Sequence, residues 1–251
     1  MVRAFPLRNQ GSLVHLNNVS GGVLAGDRLE LNIEVEEDAA AQITTTGATR
    51  LYRHRAGRND SEQRTRILVR DGGMLEYLPD SIIPYAGSRH VLHTEIRLGR
   101  ASTLFWWEVL APGRLAAGER FAFERLHVRT ELRCQARPIL KEDYSLEPAR
   151  KDLSETVRMS EYTHLASFCV AGEGRSAASW RRLEDRLNRV ARESTCLGQA
   201  VWAATTLVSD GILVRGCCTS ARFVLHPLIQ FWRTARVAIT GLDVEIPRKS
   251  Y

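Results

Sequence analysis

A repeat of two constrains this chain more than any other feature. Short runs alternate apolar and polar residues, and they recur roughly every 8–12 residues from near residue 11 to near residue 170. Arg28 to Glu36 reads RLELNIEVE, with Leu29, Leu31, Ile33 and Val35 on one side. His90 to Leu98 reads HVLHTEIRL, with Val91, His93, Glu95 and Arg97 on one face and Leu92, Thr94, Ile96 and Leu98 on the other. Period two is the signature of a strand with one buried face. No run before residue 176 carries a helical period, so the expected architecture is mainly β.

The later chain differs. Ser176 to Arg192 places Trp180, Leu183, Leu187 and Val190 on one stripe, with Arg181, Glu184, Asp185 and Arg189 facing away, which predicts an amphipathic helix. Gln199 to Leu207 and Gly211 to Cys217 read as two strands joined by a turn at Ser209-Asp210-Gly211. A second helix is predicted over about 221–237, and Pro227 fits it only in the first turn, or if a short helix starts nearby. These elements form one domain over 1–251: a β-rich part (11–170), a helix (176–192), a hairpin (199–218) and a final helix (221–237).

Composition excludes several classes. The chain has 251 residues, 44% of them hydrophobic and 25% charged, which suits a packed core and not a disordered chain. The net charge of +6 forms no stripe with interleaved aromatics, so no nucleic-acid partner is expected. No run is long and apolar enough for a membrane span. The five cysteines are irregularly spaced and read as reduced thiols, and the expected location is the cytoplasm.

Catalytic patterns are missing. The glycine turn SGGVLAGD (Ser20 to Asp27) lacks the Gly-Lys-Ser/Thr ending of a phosphate loop. Cys217-Cys218 with His226 is better explained as small thiols packing near a turn. His90 and His93 fall on opposite faces of one strand. The stretch Asp71 to Ser88, DGGMLEYLPDSIIPYAGS, is unusual: Glu76 sits between Leu75 and Tyr77, ahead of Pro79 and Pro84. Trp106-Trp107 places one indole on each side of a strand, one in the core and one toward a second layer or a partner.

Six pieces in order make the chain resemble the urease accessory protein D family (UreD, or UreH). They are SGGVLAGDRLE (Ser20 to Glu30), TTTGATRLYR (Thr44 to Arg53), LEYLPDSIIPYAGS (Leu75 to Ser88), WWEVLAPGRLAAGERF (Trp106 to Phe121), DGILVRG (Asp210 to Gly216) and the tail at Pro247-Arg248. Members usually carry a longer segment before the region of Pro6-Leu7-Arg8.

The resemblance implies a mainly β fold of stacked antiparallel and mixed sheets, wound in a helix-like way, with two helices packed at one side. It implies a scaffold, not an enzyme. Such a scaffold would bind the urease apoprotein and UreF, reach the GTPase UreG through UreF, and pass nickel through an internal tunnel. No tightly bound cofactor is implied, only transient nickel. Asp27, Glu76 and Asp80 sit inside the motif pieces and are the candidates for a weak nickel path. Each has a structural alternative: Asp27 as a turn cap, Glu76 as the partner of a buried arginine such as Arg50 or Arg53, and Asp80 as a turn former. Two other functions compete: an interaction protein of the same fold that does not serve urease, and a hydrolase using Asp27 and Glu76.

Overall fold

The computed structural model describes residues 4–7, 11–155, 158–244 and 246–247. Arg248, from the tail piece, lies outside them. The chain winds between two facing sheets. From β2 (Ser12–Leu16) it crosses to β3 (Arg28–Val35), returns to β4 (Ala40–Thr45) and the short β5 (Thr49–Leu51), and crosses again to β6 (Ser61–Val69). It repeats this through β7 (Met74–Leu78), β8 (Ile82–Pro84), β9 (Arg89–Leu98), β10 (Thr103–Leu110) and β11 (Arg125–Cys134). Along this path β2, β4, β7 and β10 are parallel neighbours in one sheet, and β3, β6, β9 and β11 are parallel neighbours in the other. Parallel neighbours ordinarily need a helical crossover. Here the strand in the opposite sheet is the crossover, so no helix is required.

Antiparallel strands finish both sheets. β12 (Arg137–Leu146) pairs with β11, completing a five-stranded sheet of order β12-β11-β9-β6-β3. The ten-stranded sheet runs β1-β2-β4-β7-β10-β13-β15-β14, with β5 and β8 branching beside β10. Its added strands are β13 (His164–Ala171) and the expected hairpin of β14 (Ala200–Thr206) and β15 (Gly211–Cys218). The alternation did not reveal β1 (Ala4–Pro6), three exposed residues antiparallel to β2.

Alternation now has a physical account. Ile33, Ile67, Ile96 and Leu132 come into one row on the inner face of the five-stranded sheet, opposite Ile43, Leu75, Leu104 and Trp106. The other face of that sheet carries ion pairs such as Arg64–Glu62 and Arg129–Asp143. The ten-stranded sheet is covered on both faces. Phe105, Trp107, Val109, Phe168 and Val214 face a helical layer of α1 (Ala177–Ser194) and α2 (Leu225–Thr240). Ser176 caps α1 by accepting the Ser179 N–H. α2 starts later than expected because a 3-10 turn, Ala221–Phe223, precedes it; Pro227 falls in its first turn, where its missing N–H costs nothing. Both indoles of Trp106-Trp107 are buried, so neither faces a partner. Trp107 donates to the Pro79 carbonyl (2.8 Å) and meets Trp232 edge to face (6.1 Å).

Two polar devices fix α1 and α2 on the sheet. Glu184, expected to face water, and Asn188 together seal the outer edge of β14. Asn188 accepts from the Ala204 N–H and donates to its carbonyl, both at 3.0 Å. Glu184 accepts from the Thr206 N–H (3.1 Å), and Thr195 from the Trp202 N–H (3.0 Å). The second device is Glu76, 2% exposed, on the helix side of β7. It accepts from Trp232 Nε1 (2.9 Å), Gln42 Nε2 (2.9 Å) and Arg236 Nη1 (3.2 Å). Its arginine is therefore Arg236 on α2, not Arg50 or Arg53. Burial pushes the Glu76 pKa above the usual carboxylate range, while the Arg236 charge and the Trp232 and Gln42 donors oppose that shift.

Removing one member of a buried ion pair strands the other. Glu76→Ala is expected to lower the unfolding free energy by about 3–5 kcal/mol in urea titration. The apolar double variant Glu76→Leu/Arg236→Met should recover most of that loss. A parent-like midpoint for Glu76→Ala would show that the pair does not hold the helical layer.

Candidate functional site

The inner faces of the two sheets are apolar at one end and polar toward the other. In the five-stranded sheet the row after the isoleucines is Thr65, Thr94 and Thr130, in register across β6, β9 and β11. Gln63 lies one row further along β6, beside Leu92. Across the gap, Tyr77 lines the same space as Thr65. Glu108 shares the inward parity of Leu104 and Trp106 on β10. A cleft of about 530 Å³ enters this layer, lined inside by Gln63, Thr65, Tyr77, Thr94, Trp106 and Glu108. Its rim is formed by Leu16 to Val19, Gly21-Gly22, Thr45 to Arg50, Pro79 and Asp80.

Local structure sets the rim. Gly22 packs against the next coil: a Cβ there would meet Tyr52 Cε2 at 2.5 Å and the Arg50 carbonyl oxygen at 2.7 Å. Val23 bridges to Leu51 in parallel fashion, tying the glycine turn to β5. Thr45 braces Asp80, since its hydroxyl accepts from the Asp80 N–H (2.7 Å) and donates to the carboxylate (3.1 Å).

The three sequence-predicted carboxylates part company. Asp80 is on the cleft. Glu76, the neighbour of inward-facing Tyr77, points to the opposite side of β7 into its ion pair with Arg236. Asp27 accepts from the Leu24 N–H (2.8 Å) and closes the glycine turn. Asp27 and Glu76 do not share this cleft, which leaves a hydrolase built on that pair without a site there.

Glu108 escaped notice in the sequence, where it stood only as the charge interrupting an apolar stretch. Among the described residues it makes no hydrogen bond or ion pair, and its charge is felt at Tyr77 and Tyr144. Burial pushes its pKa up to about 7. The usable signal was parity: Glu108 is two residues from Trp106 and so shares its face of the strand. Among the described residues no three His, Cys, Asp or Glu side chains cluster as a metal site. The cleft offers separated carboxylate, hydroxyl and amide oxygens, hard donors that hold a borderline divalent ion loosely.

Four pieces that carry the resemblance converge here: Gly21-Gly22 with Leu29-Glu30, Thr45 to Arg50, Tyr77 to Ile82, and Trp106 with Glu108. Over its full length the chain is 38% identical to a urease accessory protein UreD of Herpetosiphon aurantiacus, covering 87% of that protein. It is 31% identical over 153 residues to the UreD of Staphylococcus aureus strain bovine RF122, a match covering 61% of this chain and 54% of that one. The same figures hold for the UreD of strain Newman. The family model described as UreD urease accessory protein matches residues 1–251, and the chain belongs to that family.

Proposed function

We propose that this protein is a non-catalytic scaffold of urease maturation that passes nickel through its interior. In this reading it works in the cytoplasm, binds the urease apoprotein and UreF, and meets UreG through UreF. The observation that supports the conduit is the cleft: motif pieces scattered along the chain line one polar gap between the sheets, with Asp80 at its rim and Glu108 within. A conduit needs ligands that release as readily as they bind, which suits single carboxylates and hydroxyls better than thiolates or clustered imidazoles. With a pKa near 7, Glu108 exchanges a proton for a passing cation at modest cost. Glu76 holds the helical layer in place, and Asp27 shapes the turn beside the rim.

Co-expression with urease and its other accessory proteins tests this reading. Asp80→Ala and Glu108→Gln are expected to leave co-purification with UreF and apoprotein intact while lowering the nickel content of urease several-fold. Unchanged nickel loading in the double variant would sink the conduit. Urease activity that survives deletion of the whole chain would sink the scaffold and favour an interaction protein of the same fold.

Glu108 also makes a pH prediction. A carboxyl whose folded pKa is raised is neutral in both states below about 4.5, and its penalty grows as pH rises from there to about 7 and is complete above that. Glu108→Gln should therefore match the parent near pH 4. Above pH 8 it should exceed the parent by on the order of 2–3 kcal/mol. Equal thermal midpoints at pH 4 and pH 8.5 would show that the carboxyl is not desolvated.

A further inference from the structure

The positive charge of this chain is concentrated. Arg50, Arg53, Arg55 and Arg58 fall within nine residues that include His54 and no acid. All four are exposed. Arg50 donates to the Gly21 carbonyl (3.3 Å) and Arg53 to the Ala86 carbonyl (3.5 Å). None of the four forms an ion pair within the described residues.

The winding adds more. β6, β9 and β11 start side by side, with Ser61 opposite His90 and Arg89 opposite Arg125. Asp60, just before Ser61 and 14% exposed in its side chain, bridges Arg89 (2.8 Å) and Arg125. One carboxylate therefore serves two guanidiniums. Arg125 Nε and His54 Nδ1 are buried without a hydrogen-bond partner among the described residues. A hollow of about 410 Å³ opens over this row, with Arg28 and Arg58 also on its wall.

We propose that this face docks an acidic segment of a protein partner, its carboxylates seated on Arg28, Arg55 and Arg58 above the Asp60 row. Guanidinium forks match carboxylates in geometry, and their mutual repulsion falls when acids arrive. The charges are spread over the start of β3 and the loop before β6, so several carboxylates in series satisfy them better than one small ion. The neighbouring aromatics favour protein over nucleic acid. Tyr52 and Tyr85 are half-buried and packed edge to face at 5.2 Å, and the Arg114 guanidinium covers Tyr85 at 4.2 Å, so neither ring is free to stack on a base. The proposal does not depend on the role in urease maturation.

The test uses the full chain and a short fluorescein-labelled polyglutamate peptide, followed by fluorescence anisotropy at low salt. Saturable binding is expected, and Arg55→Ser/Arg58→Ser should weaken it by about tenfold. Arg182→Ser/Arg186→Ser removes the same charge from the outer side of α1 and should change affinity by less than about twofold. An equal loss in both double variants would reduce the effect to net charge and overturn the proposal. So would an absence of binding, displacement of the peptide by inorganic phosphate at equal concentration, or tighter binding of single-stranded DNA at the same arginines.

Discussion

The seat of α2 on the ten-stranded sheet depends on one buried ion pair. Desolvating Glu76 and Arg236 costs several kcal/mol per ion, and their attraction offsets that only with good geometry and the remaining polar atoms engaged. Trp232 and Gln42 supply further donors, so the carboxylate has three partners from two helical turns and one adjacent strand. Apolar packing alone would allow α2 to slide or rotate on the sheet. A fixed carboxylate on β7 does not. Glu108, one strand away on β10, makes the opposite case. It points into the gap between the sheets, where no donor among the described residues meets it. Two carboxylates on neighbouring strands thus differ because strand parity sends them to opposite faces: one is a fastening, the other has no partner among the described residues.

Much of the fold was legible from alternation, and its limits are equally physical. Period two records that one face is buried, and it is blind to whether the neighbour runs parallel or antiparallel. The parallel winding came only through the resemblance, and β1 was too short and too exposed to leave a pattern. Pro227 fitted a first-turn position, yet the 3-10 turn before α2 displaced the predicted start. Glu184 looked solvent-facing because helical periodicity ranks residues by polarity. A polar side chain that caps a strand edge is buried for a reason that hydrophobicity does not encode.

The site was less legible than the fold. Asp80 was found because it lay within a motif. Glu76 was found too, but its partner is 160 residues away, a distance no local pattern spans. The cleft itself follows from the winding. Contacts such as Gln42 with Glu76 and Thr45 with Asp80 join residues 34 and 35 apart, one coil of chain. Motif pieces separated by a coil in sequence are stacked in space, so they line one gap although each looks unrelated to the next. The basic stretch at Arg50 to Arg58 showed only its charge in the sequence. Its meaning depended on Asp60, Arg89 and Arg125 arriving beside it.

The sealing of β14 bears on how this molecule associates. A sheet polymerises when it presents an open edge at both ends, so that each added copy leaves another edge to extend. On the ten-stranded sheet, side chains of α1 and its cap residue already occupy the outward backbone groups of Trp202, Ala204 and Thr206. Among the described residues, the β1 end is the end of that strand order left for strand addition. Two copies joined there would expose no further edge of the same sheet, and growth through it would end at a pair instead of continuing into a fibre.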